Sequence, residues 1–234
     1  MVSSSQSELG RSLPAAGDLG GVRAPNEVNA EARARSEQWV LPLLFFASGF
    51  AALLYQIVWQ RTLFSIYGIN IESVTVIVTA FMLGLGFGSL GGGALSRRAT
   101  VPVVLLFAAV EAAIGLYGFA SLSIFRMVGS ATLSEPEGVI AVVTLLMVLL
   151  PTTLMGATLP LLVAHFTHRS KNVGDSVGQL YYVNTLGAAL ASVCAVLVLL
   201  GHLGQARTVQ LAALLNLGSA LVAALLYRRS SRTK

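Results

Sequence analysis

Apolar residues are grouped along the chain into long, almost uninterrupted runs, and polar residues are collected in short segments between them. A helix that crosses about 30 Å of hydrocarbon, rising about 1.5 Å per residue, needs about 20 mostly apolar residues. The chain offers six such runs, at approximately 40–60, 74–95, 102–124, 139–165, 177–200 and 208–227. The pattern predicts an all-α polytopic membrane protein with a six-span transmembrane domain over residues 39–227.

The two ends of the chain have a different composition from the runs. Residues 1–38 are rich in Ser, Gly, Ala, Pro and charged residues, which predicts a disordered tail, with a short surface helix over 27–37 as an alternative for its last part. The first apolar run begins at Trp39 and is too long for the core of a signal peptide, so we expect no cleavage. Residues 228–234 form a short basic tail.

Composition and charge exclude most soluble classes. Only 11% of the 234 residues are charged, and the mean hydropathy is +0.77, which disfavours a soluble enzyme or a nucleic-acid binder. The net charge of +5 arises from basic residues near the ends of the runs, so the expected partner is the lipid bilayer and not a nucleic acid. The single Cys194 can form no internal disulfide.

The distribution of basic residues predicts the orientation. With six spans both termini lie on one side of the membrane, and that side carries twelve of the Lys and Arg residues. The other side carries three, which are Arg61, Arg126 and Arg207. Because positive charge accumulates on the cytoplasmic side, both termini are predicted to be cytoplasmic.

Small residues at every fourth position predict where helices pack closely. The second span has Gly84, Gly88 and Gly92 in one line, and the fifth has Gly187 and Ala191. The glycines of 86–91 also match a dinucleotide-binding fingerprint, but they lie within a span and not between a strand and a helix. We therefore assign them to packing and expect no cofactor.

Several polar residues fall at similar depth within the spans. Glu111 lies about 13 Å from the start of the third span, and an ionised group at that depth costs at least about 2.5 kcal/mol. Asn184 on the fifth span, Asn216 on the sixth and the Thr152-Thr153 pair after Pro151 lie at a comparable level. The sequence thus suggests one shared intramembrane polar site.

Two interpretations of this site remain open. In the first, Glu111 is the counter-charge in a cavity for a cationic or protonatable ligand. In the second, a protonated Glu111 is hydrogen-bonded to a neighbouring amide or carbonyl and serves only to hold helices together.

Aromatic and amide residues define a second candidate region, a pocket or interface. Tyr55 and Trp59 form one pair with helical spacing, Gln56 and Gln60 form another, and Arg61 follows them near the outer boundary. This favours an interfacial aromatic belt, with the mouth of a ligand site as the alternative. On the fifth span, Tyr182 either shares a face with Asn184 or is interfacial. His165 and His168 lie beside basic residues, so we predict no metal site.

Six segments carry a resemblance to a known family: FAALLYQIVWQR (50–61), AFMLGL (80–85), GS (88–89), EAAIGL (111–116), LPTTLMGATLP (150–160) and YYVNTLGA (181–188). Together they resemble the membrane half of the spermidine synthase-like proteins, over about residues 40 to 227. The fourth-span segment is the most specific. In that family a multi-span domain resembling one six-helix half of a major facilitator transporter precedes a cytosolic aminopropyltransferase domain.

The resemblance also implies a catalytic domain, and the sequence does not show the features of that domain. The catalytic domain of the family is a doubly wound sheet with acidic residues that hold polyamine amines, whereas this chain has only Asp18 and Asp175 as aspartates. The sequence therefore predicts no catalytic residues, and aminopropyl transfer is not expected from this chain on its own. Residues 92–98 resemble the loop motif of facilitators, with Ser96 where that motif has an acid.

Three functions follow as hypotheses. The first is a non-catalytic membrane unit that binds a ligand or a partner, as a homodimer or with a separate membrane or cytosolic protein. The second is a half-transporter that dimerises and moves a polyamine or another small cation. The third is the membrane part of a split aminopropyltransferase.

The predicted orientation can be tested by cysteine labelling in a Cys194→Ser background. A cysteine introduced as Thr100→Cys, in the predicted cytoplasmic loop, is expected to react with an impermeant maleimide only after the cells are opened. A cysteine introduced as Ser134→Cys, in the predicted outer loop, is expected to react in intact cells. The opposite pattern contradicts the orientation.

Overall fold

A computed structural model describes residues 25–68, 71–98, 100–170 and 172–231. These residues are all-α, without a strand among them. The helices are α1 (Pro25–Tyr67), α2 (Ile71–Arg98), α3 (Val103–Thr132), α4 (Glu137–Ser170), α5 (Val173–Cys194), a π-helical segment (Ala195–Leu199), α6 (Leu200–His202) and α7 (Gly204–Ser231). The π-helical segment and α6 continue α5 as one rod.

Within the described ranges, six helical segments are long and apolar enough to cross a membrane. They are Trp39–Tyr67, Val74–Arg98, Val103–Thr132, Glu137–Thr167, Val173–His202 and Gly204–Arg229. The number agrees with the six runs predicted from the sequence, and we treat the chain as a multi-pass membrane protein.

The ends of the chain differ from the prediction in one respect. Residues 1–24 and 232–234 lie outside the described residues, so most of the predicted tail has no structural counterpart here. However, α1 begins at Pro25, so the end of the tail predicted to be disordered is helical. The alternative of a helix over 27–37 fits better, because this stretch combines Ala, Glu and Arg, which favour helices, with no internal Gly or Pro.

Local residues mark the ends of several helices. Gly68, with φ of 89°, closes α1, and its amide donates to the Phe64 carbonyl at 3.0 Å. Asn172 caps α5 by accepting a hydrogen bond from the Asp175 amide at 3.3 Å. Gly204, with φ of 71°, separates α6 from α7. Positive φ is readily adopted by glycine, so these turns are encoded locally.

The bundle is built from three extensive helix pairs, α2 with α4, α3 with α7, and α1 with α5. Helix α1 also packs against α7, and α3 packs against α4. Helix α1 is the most buried span and α5 is the least buried. The elements that pack around α1 therefore determine the interior of the protein.

Glycines bring α2 and α4 into close contact. A Cβ atom added at Gly84 would overlap Thr152, one at Gly88 would overlap the Thr153 carbonyl, and one at Gly92 would overlap Ala157. The sequence separation between the α2 glycine and its α4 neighbour is about the same in all three contacts, so the two helices run in the same direction. Because lipid gives no hydrophobic drive for helices to associate, this close approach supplies their packing energy.

The helices α1 and α3 also run parallel, with a nearly constant offset. Hydrogen bonds join Ser48 to Glu111 and Trp59 to Ser121, at separations of 63 and 62 residues. Farther along, Tyr67 and Thr132 hydroxyls are 2.7 Å apart, at a separation of 65 residues. Polar contacts thus recur along the whole α1–α3 seam and fix its register.

Buried apolar residues form two separate clusters. The larger includes Leu54, Trp59 and Phe125, and the smaller includes Phe45 and Phe107. On α1 the smaller cluster ends at Phe45 and the larger begins at Ala51; on α3 the corresponding residues are Ala108 and Ile114. The interior is therefore divided by a level at which polar side chains replace apolar ones.

Two glycines on the same helix give a matched test of the α2–α4 contact. The substitution Gly88→Ala is expected to destabilise the bundle by about 1–3 kcal/mol, because the new methyl group has no room beside α4. Gly86→Ala is expected to be neutral or stabilising by up to about 1 kcal/mol, because its Cβ meets nothing within 4 Å. Unfolding of the two variants in detergent is the measurement. Equal stabilities would contradict the proposed contact.

Candidate functional site

The carboxyl group of Glu111 lies at the level that divides the two apolar clusters. It is 0% exposed. The Ser48 hydroxyl of α1 donates to its Oε1 at 2.6 Å, and the Asn216 amide of α7 donates to its Oε2 at 2.6 Å. Both carboxyl oxygens are thus engaged by neighbouring helices, and one side chain joins α1, α3 and α7.

The electrostatic surroundings of Glu111 are neutral. Every arginine whose side chain the structure describes is exposed, including Arg97 and Arg98 at the end of α2 and Arg126 near the end of α3. Among the described residues, no cationic side chain is hydrogen-bonded to Glu111. The geometry favours the second interpretation made from the sequence, in which Glu111 holds helices together.

The other polar residues of the predicted site occupy separate contacts. Asn184 is half-buried and donates to the Phe45 carbonyl at 3.1 Å, joining α5 to α1. Thr152 is buried and bonds to the Val148 carbonyl of its own helix at 2.8 Å and to the Ala80 carbonyl of α2 at 3.4 Å. Thr153 bonds to the Leu149 carbonyl at 2.8 Å. Of the five predicted residues, the structure connects Glu111 with Asn216 only.

The level between the clusters is nevertheless polar on most helices. Besides Glu111 and Asn216, it includes Ser48 on α1, Thr158 on α4 and Asn184 on α5, each lying in sequence between members of the two clusters. Thr152 does not belong to this level, because it lies between Val148 and Met155, which are both in the larger cluster. We call these five residues the polar layer.

A proline in α4 leaves one backbone carbonyl without its helical donor, and a side chain of α3 donates to that carbonyl instead. Pro151 has no amide hydrogen, so the Met147 carbonyl, four residues earlier, lacks its helical partner. The Tyr117 hydroxyl of α3 donates to this carbonyl at 2.6 Å. The two threonines after the proline do not serve this carbonyl, because their hydroxyls bond to the Val148 and Leu149 carbonyls.

The belt interpretation of Tyr55 and Trp59 is wrong. Both side chains are 0% exposed and belong to the larger apolar cluster. Their rings stack at 4.8 Å, and Trp59 also meets the rings of Phe81, Tyr117 and Phe125 at 5.8–6.2 Å. The Trp59 indole finds its hydrogen-bond acceptor in Ser121 at 2.9 Å, and Gly118 leaves room for the Tyr55 ring. For Trp59 the Ser121 hydroxyl thus replaces the interfacial water that a belt residue uses, whereas the Tyr55 hydroxyl is buried without a hydrogen-bond partner.

The remaining residues of that candidate pocket or interface are not brought together. Gln56 and Gln60 are half-buried, Arg61 is exposed, and Tyr182 is 64% exposed, away from the contact that Asn184 makes with α1. The described part of the chain contains no group of His, Cys, Asp or Glu that could hold a metal ion. The His168 side chain lies outside the described residues.

Packing residues predicted on α5 lie at its contact with α1. A Cβ atom added at Gly187 would overlap the Phe46 carbonyl, and Ala191 is fully buried. Across this contact, a Cβ atom at Gly49 would overlap Asn184. The α1–α5 pair therefore approaches as closely as the α2–α4 pair does.

Sequence reasoning missed four residues that the structure places in these contacts: Ser48, Tyr117, Ser121 and Thr158. Serine and threonine are common in apolar spans, and nothing local distinguishes these from others. One signal was available for Tyr117, because a proline inside a span requires a donor for the carbonyl four residues earlier.

Comparison with known proteins gives two relatives. A stretch of 213 residues is 26% identical to polyamine aminopropyltransferase 1 of Streptomyces coelicolor, covering 90% of this chain and 38% of that protein. A stretch of 193 residues is 23% identical to the polyamine aminopropyltransferase of Oceanobacillus iheyensis, covering 81% of this chain and 36% of that protein. The chain thus spans less than two fifths of the length of these curated relatives. No family model and no solved structure matches it.

The Tyr117 hydrogen bond can be tested by a double-mutant cycle with Pro151. Tyr117→Phe is expected to cost about 1–3 kcal/mol, because it leaves the part-buried Met147 carbonyl without a donor in a span that faces hydrocarbon. In a Pro151→Ala background the restored amide can serve that carbonyl, so the same substitution is expected to cost clearly less. Unfolding free energies of the four proteins measure the coupling. An equal cost in both backgrounds would show that the hydroxyl does not serve the carbonyl freed by the proline.

Proposed function

We propose that this chain is the membrane unit of an aminopropyltransferase-related protein in a bacterial inner membrane. In this proposal the six helices form a bundle resembling half of a facilitator, with both termini in the cytoplasm. The bundle binds a partner and holds an aminopropyltransferase domain, on the same or a separate polypeptide, at the membrane surface. It does not itself catalyse aminopropyl transfer.

The observation that carries this proposal is the coverage of the similarity. It extends over 90% of this chain, and so reaches each of the six apolar helices, but over only 38% of a protein named polyamine aminopropyltransferase 1. The similar part is thus a membrane-spanning region, and the larger remainder of that relative has no counterpart in the residues compared. An anchoring or partner-binding role is the simplest function for such a region.

The interior of the bundle supports a non-catalytic role. A carboxylate that takes a proton from an attacking amine must come within hydrogen-bond reach of that amine. Glu111 is fully buried, and Ser48 and Asn216 engage its two oxygens. The acids Glu135, Glu137 and Asp175 are exposed near helix ends and not gathered around a common centre. This arrangement favours holding the helices together over reacting with a substrate.

A second candidate, a half-transporter that pairs with another copy, is favoured by the order of helix packing. The six spans divide into two groups of three, in which α1 corresponds to α4, α2 to α5, and α3 to α7. Under this correspondence the α1–α5 pair matches the α4–α2 pair, and the α3–α7 pair matches itself. The α1–α7 contact likewise matches the α4–α3 contact. Inverted repeats of three helices within a six-helix half are a feature of facilitators.

The anchoring proposal predicts a partner that contacts the cytoplasmic side. The tagged chain, purified from its native host in mild detergent, is expected to carry with it a protein containing an aminopropyltransferase domain. Replacing Arg97 and Arg98 with Gln is expected to reduce this recovery about tenfold, or about 1.4 kcal/mol, because these exposed side chains contribute to docking in the proposed role. Replacing Arg126 and Arg207, which are also exposed but predicted to lie outside, is the matched control.

Two outcomes would contradict the anchoring role. One is a chain that purifies alone after crosslinking in cells, with no neighbouring reading frame that encodes such a domain. The other is an equal loss of the partner in both pairs of arginine variants. Uptake of radiolabelled spermidine into proteoliposomes containing this chain alone would instead support the half-transporter, and loss of uptake in Glu111→Gln with folding intact would assign the transport site to Glu111.

A further inference from the structure

Glu111 is surrounded by groups that cannot neutralise a negative charge. On α1 it meets the Ser48 hydroxyl, and on α7 it meets the Asn216 amide. Tyr55, also on α1, is the titratable side chain that interacts with it electrostatically. The arginines whose side chains are described are all exposed, and so is His202. An ionised carboxylate here would be an isolated charge in the middle of the hydrocarbon.

The balance of donors and acceptors around Glu111 also favours an added proton. Asn216 is 1% exposed, and its Oδ1 is buried without a hydrogen-bond donor. An O–H group on the Glu111 carboxyl can supply the donor that this amide oxygen lacks, whereas a carboxylate cannot, because both of its oxygens are acceptors only. The Tyr55 hydroxyl is also buried without a hydrogen-bond partner.

The geometry accommodates a proton on either carboxyl oxygen. The distance of 2.6 Å between Ser48 Oγ and Glu111 Oε1 is typical of O–H···O hydrogen bonds, and a hydroxyl can accept as well as donate. With the proton on Oε1, the Ser48 hydroxyl accepts it and is free to turn its own hydrogen toward a backbone carbonyl of α1. With the proton on Oε2, rotation of the Asn216 amide by half a turn presents Oδ1 as its acceptor.

We propose that Glu111 is an intramembrane proton-binding site, at which a neutral carboxyl group donates a hydrogen bond to Ser48 Oγ or to Asn216 Oδ1. The ligand is a proton and not a metal or organic cation, because Glu111 is 0% exposed and each carboxyl oxygen is already in contact with a protein side chain. This inference does not rest on the anchoring role, and it gives the junction of α1, α3 and α7 a defined protonation state.

Proton binding and helix packing are coupled at this junction. The proton lies on a fully buried group, so it can leave only when α1 or α7 separates from α3 and admits water. Conversely, loss of the proton would leave an isolated charge that favours the separated state. The site therefore links the protonation of one carboxyl to the closure of three helices.

Infrared spectroscopy of the full chain in lipid nanodiscs tests the proposal. At neutral pH the spectrum is expected to contain the carbonyl stretch of a protonated carboxyl group. Glu111→Gln is expected to remove this band, whereas Glu137→Gln, which replaces an exposed acid at the start of α4, is expected to leave it unchanged. Ser48→Ala is expected to shift the band to higher wavenumber, because it removes a hydrogen bond from the carboxyl group.

The result that would overturn the proposal is a spectrum in which Glu111→Gln removes a carboxylate stretch and no protonated band. If Glu111→Gln fails to fold, the wild-type chain labelled with ¹³C-glutamate gives the same information without a substitution. In that experiment a protonated-carboxyl band that does not shift on labelling, or is absent, would overturn the proposal. Recovery of an aminopropyltransferase partner by a folded Glu111→Gln variant is expected to be unchanged, so the two proposals fail independently.

Discussion

The structure depends on one constraint: in hydrocarbon no water is present to satisfy a polar group, so a polar group without a partner inside the protein is costly. The backbone meets this constraint by forming helices across all six spans. At Pro151, which removes a backbone donor from α4, the neighbouring helix α3 supplies a replacement, because the Tyr117 hydroxyl donates to the freed carbonyl. Polar side chains in the interior are therefore also the points at which helices are joined.

The same constraint explains why contacts that are weak individually specify one arrangement. Lipid-exposed and buried apolar residues differ little in free energy, so apolar surface alone does not choose a partner helix. The choice comes from close approach at glycines, as between α2 and α4, and from hydrogen bonds between helices, as along α1 and α3. The polar layer also restrains movement of each helix along its axis, because such a shift would bring a polar side chain into an apolar cluster.

The similarity to aminopropyltransferases concerns a membrane-spanning region. The similarity covers a minor part of each relative, whereas it covers most of this chain. The interior described here is well suited to a rigid bundle, because its buried acid is engaged by the helices themselves. The proposed anchoring role draws on two features of this bundle, long apolar helices that face lipid and exposed basic residues at their ends.

The sequence by itself determined the class, the number of spans and their positions. These follow from the length of apolar runs, which depends only on the thickness of the bilayer. It also identified Glu111 and Asn216 as polar groups at the same depth, since depth can be counted along a helix. Glycine spacing further indicated one contact face on α2 and another on α5.

Only the tertiary structure decided which residues meet across helices. Depth does not reveal the direction in which a side chain points, so Glu111 and Asn216 proved to be partners whereas Asn184 and Thr152 contact other helices. For the same reason Trp59, which the sequence placed in an interfacial belt, lies in the interior with Ser121 as its acceptor. Contacts between residues more than 60 positions apart depend on how helices are rotated about their axes, and that rotation is set by the whole bundle.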